Sequence, residues 1–170
     1  MTATLRMPTV ADAGAIAAIM RECFTATFGH LYDPADLASF LDGLTLERWQ
    51  AELADPAFAF LLAEEQEGRA VGFAKMGPHS LPVTPAGPMI ELRQLYVLGS
   101  QQGTGLARRM MDRVIATARD RGAQELFLSV YVDNHRARRF YERYGFEEIG
   151  TYAFMVGNHA DEDHLMRLVL

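Results

Sequence analysis

The chain has 170 residues, 49% of them hydrophobic, and a formal net charge of −6, which suits one domain with a real core and disfavours general binding to a phosphate backbone. A single cysteine, Cys23, excludes an intrachain disulfide, and no apolar run reaches the ~18 residues of a membrane span. No positive segment followed by an apolar block opens the chain, so a cytoplasmic protein without a signal peptide is expected.

A short strand is expected at 5–7. From 12 to 24, Ala15, Ile16, Ile19, Met20 and Cys23 recur at helical spacing. Cys23 reads there as a small buried hydrophobe rather than a nucleophile. Asp33 is placed to cap a second helix with Pro34 in its first turn and Leu37, Phe40 and Leu41 as its apolar face. Thr45 opens a third helix that Asp55-Pro56 stops. The runs 57–64 and 70–76 flank a turn containing Gly68 and predict two strands. Residues 77–88 carry Pro78, Pro82 and Pro85 before Pro88 and form a long loop, the kind that is often functional.

A third long strand follows at 89–98, then a helix at 106–121 with Leu106, Met110, Val114, Ile115 and Ala118 on one side and Gly122 after its basic last turn. A strand at 125–132, a helix at 134–144 and strands at 146–156 and 164–170 complete the chain, the last two joined by the polar segment 157–163. Helices first, then strands alternating with helices, predict a single α/β domain over 1–170 with a mixed central sheet flanked by helices and a parallel crossover between 89 and 132.

The junction from Leu95 to Ala107 ends a strand and opens a helix, and such a junction is an anion site. The first helical N–H groups lack internal partners and the helix dipole adds partial positive charge. Gly103 and Gly105 would let the backbone approach a pyrophosphate, and Gln102 is placed to cap it. The pattern is not a P-loop, since no Lys follows a second Gly, and it lacks the third Gly of a dinucleotide fingerprint. Further on, Asn134 opens a helix in which Ala137, Phe140, Tyr141 and Tyr144 share a face and Gly145 ends it. Phe140 and Tyr144 read as core. Tyr141 reads either as packing or as a phenol able to protonate a departing thiolate.

Together, Gln102-x-x-Gly105-x-Ala107 and Asn134-x-x-Ala137-x-x-Phe140-Tyr141-x-x-x-Gly145-Phe146, one helix and one strand apart, resemble the GNAT superfamily of N-acetyltransferases. The segments 21–28, 90–97 and 157–166 are similar to the PaiA-type polyamine acetyltransferases within it, which acetylate spermidine and spermine. The resemblance implies an acyl-CoA N-acyltransferase fold, acetyl-CoA as co-substrate and direct transfer to a primary amine, with a polyamine as one acceptor. It further implies no metal, no nucleic-acid or membrane partner, and a homodimer as in many sheet-edge dimers of the family.

By the same resemblance, Leu95, Tyr96 and Val97 offer backbone groups to the pantetheine arm. Gln102, Gly103, Thr104, Gly105, Leu106 and Ala107 hold the pyrophosphate. Asn134 bonds the pantetheine or acetyl end, Arg136 and Arg143 lie near the adenosine phosphate, and Tyr141 protonates the leaving thiolate. Glu91 is the candidate base, on the side of its strand that alternation assigns to Met89, Glu91, Arg93 and Leu95. A water chain is the other route for the proton. Protein or peptide acetylation and a non-catalytic acyl-CoA-binding module remain as alternatives. His30 and His79 sit in loops that could join the acceptor site, while His135, His159 and His164 lack a metal-ligand spacing.

Overall fold

In a computed structural model that describes residues 3–170, the chain runs β1 (Thr4–Arg6), α1 (Ala13–Phe28), α2 (Pro34–Asp42), α3 (Leu46–Ala54), β2 (Ala59–Glu64), β3 (Ala70–Gly77), β4 (Met89–Val97), α4 (Leu106–Asp120), β5 (Glu125–Tyr131), α5 (His135–Glu142), β6 (Glu147–Val156) and β7 (His159–Val169). Met1 and Thr2 of the expected domain lie outside the described residues. The seven strands make one sheet in the order β1-β2-β3-β4-β5-β7-β6. Every neighbouring pair is antiparallel except β4–β5, which α4 connects as a parallel crossover.

The helices form where cap and stripe agree. The Asp33 carboxylate accepts from the Ala35 N–H at 2.8 Å with Pro34 in the first turn, and the Thr45 hydroxyl accepts from the Arg48 N–H at 3.2 Å. α1 buries Ile16, Ile19, Met20, Cys23 and Phe24, one apolar stripe, and α4 buries Leu106, Met110, Met111, Val114 and Ala118. α1, α2 and α3 cover one face of the sheet through contacts such as Trp49 on Phe73 and Phe28 on Tyr131. The turn after α5 meets α4, with the Tyr144 hydroxyl donating to the Arg108 carbonyl at 3.0 Å.

Two sequence expectations are corrected. The polar segment 157–163 is not a connection: Gly157 and Asn158 make the turn, and β7 already begins at His159. β7 lies between β5 and β6: residues 159–162 pair with β6, the strand pairs on both sides from Asp163 onward, and Asp161 and Asp163 are buried. The alternation along β4 also fails. Lys75 pairs with Gln94 and Met76 with Leu92, which leaves Arg93 as an unpaired bulge residue. Past that bulge the faces exchange, so Gln94 and Tyr96, rather than Leu95, share the face of Glu91. The Arg93 guanidinium holds the bulge by donating to the Pro78 carbonyl at 2.6 Å and lying 5.2 Å from the Phe58 ring.

Candidate active site

β4 and β5 pair only from Met89 to Glu91 against Glu125 to Phe127. Beyond Glu91 the bulge turns β4 away, and the sheet opens as a wedge between residues 92–97 and 128–131. A cleft of about 790 Å³ occupies it, and both strands line it. On this side β4 has no strand partner beyond Glu91, so those N–H and C=O groups of Leu95, Tyr96 and Val97 that point away from β3 are free for an extended ligand.

One end of the cleft is closed by the starts of α4 and α5. Gly103 and Gly105 adopt φ of 80° and 83°, and a Cβ added at either would meet nothing within 4 Å. The glycines are therefore required by backbone conformation and by open space in front of the loop, not by packing. Among the described residues, the N–H groups of Gly103, Gly105, Ala107 and Arg108 have no acceptor, while the Leu106 N–H reaches the Thr104 hydroxyl at 3.4 Å. These free donors sit at the positive end of a fifteen-residue helix. The Gln102 side chain accepts from Arg136 at 2.7 Å, joining the loop to α5. Arg108 and Arg136 make this end basic, and Arg143, at the far end of α5, also lines the cleft. The donor set suits a pyrophosphate and a further phosphate.

Asn134 and Tyr141 stand in the middle. The Asn134 side-chain oxygen caps α5 by accepting from the Ala137 N–H at 3.2 Å. The Tyr141 ring is held between Phe140 and Phe146, at centroid distances of 5.4 and 5.6 Å. Tyr141 lines the cleft, and burial raises its pKa above the ordinary tyrosine value, so it carries its proton at neutral pH. Cys23 also lines the cleft. Burial first, then the Glu22 charge, raises its thiol to about 11, which keeps it a protonated hydrophobe.

The cleft also runs under α1 and α2, where Glu91, Asp161 and Asp163 stand among aromatic side chains and the Arg93 guanidinium lies 4.0 Å from Glu91. Glu91 is 4% exposed, and its oxygens are already occupied: one accepts from the Ser80 and Leu81 N–H groups at 2.6 and 3.2 Å, and both meet the Ser80 hydroxyl at 2.8 and 3.0 Å. Glu91 thus pins the proline-rich loop 78–88, whose Leu81 packs with Phe127 and Leu165. Sequence reasoning missed Asp161 and Asp163, 5% and 7% exposed, which line the same part with Ser129, Tyr131, Tyr152 and Phe154. The available sign was their spacing, since residues two apart share a strand face. Asp161 accepts from the Tyr32 hydroxyl and lies 3.0 Å from His159. The Ser129 hydroxyl, beside Asp163, is engaged with the Tyr152 hydroxyl at 3.3 Å. Burial raises Asp163 to about 6; nearby Ser129 and His164 oppose that rise and the Asp161 charge reinforces it. His30 and His79 are exposed and do not line the cleft, and among the described residues no group of His, Cys, Asp and Glu is arranged to hold a metal. No helix among them is long and apolar enough to cross a membrane.

Comparisons with known proteins agree with this geometry. The family model of the GNAT acetyltransferases matches residues 15–146. An uncharacterised N-acetyltransferase of Mycobacterium tuberculosis strain H37Rv is 36% identical over 156 residues, covering 91% of this chain and 96% of that protein. Among solved structures, the ribosomal-protein-alanine N-acetyltransferase of Brucella melitensis superposes with a TM-score of 0.75 at 26% identity, covering 98% of this chain and 99% of its own. The PaiA N-acetyltransferase of Thermoplasma acidophilum, solved with coenzyme A, shares the fold over the whole of both chains with a TM-score of 0.82 at 18% identity. With a wedge-split mixed sheet, a cradle of free N–H groups and a family match over most of its length, the chain belongs to the GNAT family and is an N-acetyltransferase.

Proposed function

We propose that this enzyme transfers the acetyl group of acetyl-CoA directly to a primary amine that arrives as a cation, with a polyamine as the acceptor class to test first. The observation that carries the reading is the charge lining the cleft. Arg108 and Arg136 stand beside the free N–H groups at the α4 start, while Asp161 and Asp163 are carboxylates without a Lys or Arg partner among the described residues. Arg48, Lys75 and Arg93, which also line the cleft, are paired with Glu52 and Glu91. A phosphate-rich donor and a cationic acceptor are each attracted to one of the two unpaired sets, and the two meet beside Tyr141.

Acetyl-CoA supplies the activated acyl group as a thioester. The chain's own groups position it. The N–H groups of Gly103, Gly105, Ala107 and Arg108 hold the pyrophosphate, with Gln102, Thr104 and Leu106 shaping the loop. The open backbone of Leu95, Tyr96 and Val97 extends β4 along the pantetheine arm, and Asn134 bonds that arm's amides while its oxygen caps α5. Arg136 and Arg143 meet the adenosine phosphate. The Tyr141 hydroxyl donates its proton to the sulfur as the thiol departs. Glu91, pinned as it is, shapes the acceptor end and adds to its negative potential.

The test is thiol release from acetyl-CoA by the purified chain, offered spermidine, spermine, simple monoamines and peptides with free N-termini. Turnover with the polyamines above the peptides is expected; preference for the peptides would move the acceptor to proteins. Tyr141→Phe is expected to lower kcat on the order of 10²-fold with little change in acetyl-CoA affinity. Bound acetyl-CoA with no turnover on any amine, and no effect of Tyr141→Phe, would make the chain a non-catalytic binding module.

A further inference from the structure

Asp161 and Asp163 are buried carboxylates without a cationic partner from Lys or Arg. Among the described residues, Asp161 pairs only with His159 and the Tyr32 hydroxyl, and Asp163 makes no salt bridge. Buried charges in folded proteins are paired or hydrogen-bonded, so the missing cation points to a ligand. Asp163 is the more telling of the two. It is 93% buried (7% exposed), it makes no ion pair among the described residues, its one hydrogen-bonding neighbour is the Ser129 hydroxyl, which is shared with Tyr152, and it lines the cleft.

What surrounds Asp163 fits an alkylammonium. Tyr131 and Ser129 approach from β5, Tyr152 from β6 and Tyr96 from β4, with Tyr32 between α1 and α2. The other titratable groups nearby are Asp161, His164 and, on the far side of Tyr152, Glu91. Among the described residues no Lys or Arg pairs with Asp163. Asp163 and Tyr141 both line the cleft, and both lie near Tyr96. The aromatic rings add favourable faces for a cation.

We propose that Asp163, seconded by Asp161, seats the ammonium of the acceptor amine and takes its proton. This rests on the acetyl-transfer reading above. The N–H bond breaks and the proton passes to the Asp163 carboxylate. The freed nitrogen lone pair forms the C–N bond to the thioester carbonyl carbon, and the C–S bond breaks. The sulfur receives the Tyr141 proton, and the new amide nitrogen returns its surplus proton to Tyr141. Asp163 releases its proton to water through the cleft, so the net products are amide, free thiol and one proton. Glu91 serves this step only indirectly, because its oxygens are occupied by Ser80 and Leu81. Asp163, with a pKa of about 6, is ionised and ready at pH 7, and close enough to neutrality to accept and release a proton.

The experiment compares the wild type with Asp163→Asn, Glu91→Gln and the control Glu162→Gln, which alters an exposed neighbour on β7. Spermidine and putrescine are the probes, and the Asp163 side-chain carbon is followed by NMR in the presence of coenzyme A. Asp163→Asn is expected to cut kcat/KM on the order of 10²-fold or more with unchanged coenzyme A affinity. It is also expected to abolish a rise of kcat/KM with pH centred near 6 that the control retains. Spermidine is expected to shift the Asp163 carboxyl resonance and lower its midpoint, because a cation favours the charged form. Retention of activity and of the pH limb in Asp163→Asn, with their loss in Glu91→Gln, overturns the proposal and returns the base to Glu91. An Asp163 resonance indifferent to both amines overturns it as well. A shifted resonance without acetyl transfer instead strikes the enzymatic reading and leaves the cation site standing.

Discussion

Asp163 is a residue whose position costs stability. Its pKa rises from 3.8 to about 6 on folding, chiefly through burial. Between those values the folded chain keeps a proton that the unfolded chain has lost. Stability therefore falls as pH rises through that window, and the ionised form weighs against folding above it. At roughly 1.4 kcal/mol per pKa unit, the penalty at neutral pH is about 3 kcal/mol. Asp163→Asn is expected to melt at a higher temperature than the wild type at pH 7.5 and to lose that advantage as the pH falls below about 4, where both side chains are neutral. Thermal denaturation of both proteins across pH 4 to 8 measures it. An equal or lower melting temperature at pH 7.5 would mean that Asp163 is stabilised in the fold and has no need of a ligand cation. Gain of stability with loss of activity is the trade expected of a group kept for function.

At the scale of elements, the start of α4 is the part most exposed to test. Gly105 holds φ of 83° in front of empty space. A side chain there costs about 1–2 kcal/mol for the left-handed backbone and fills the space before the free N–H groups. Gly105→Val is expected to leave a folded protein of modestly lower melting temperature whose coenzyme A affinity falls at least 10-fold, about 1.4 kcal/mol, as read by calorimetry. Undiminished affinity would take the cradle away from this loop. The elements themselves were unevenly legible. α1, α2, α3 and α4 could be read from capping residues and 3.6-residue stripes because those features act locally. The Gln102–Ala107 loop and the α5 start could be read because a turn of that geometry demands glycine and a capping Asn. β7 escaped because its first half carries Asp161 and Asp163 inward, and polar residues inside a strand look like a connection. The bulge at Arg93 escaped because one unpaired residue leaves no mark on composition, only on pairing with β3.

For the whole molecule, the wedge divides the sheet. β1 to β4 lie on one side and β5, β7 and β6 with α5 on the other, while α1 and α2 reach across through Phe28 on Tyr131 and Phe40 on Phe154. Between the strands of the two halves the ladder is short, Met89–Glu91 on Glu125–Phe127, and it is extended at one end by the Pro88 carbonyl accepting from the Gln124 and Glu125 N–H groups. A ligand that bonds the free edge of β4 and the α4 and α5 starts at once bridges both halves, so binding and fold stability are coupled. Coenzyme A at 100 times its Kd is expected to add about 2.7 kcal/mol to the unfolding free energy. The gain has a spatial signature that mass action alone does not supply. Amide exchange should slow most at residues 92–97 and 103–108, where N–H groups pass from open cleft to bound ligand. It should change little in the β2–β3 ladder, which is fully paired without it. Spermidine added alone should protect neither segment, because its seat at Asp163 offers side chains rather than backbone. Hydrogen exchange with mass-spectrometric readout separates these cases. Protection spread evenly over the sheet, or absent from residues 92–97, would mean that the donor does not lie in the wedge and that the splay of β4 from β5 serves packing alone.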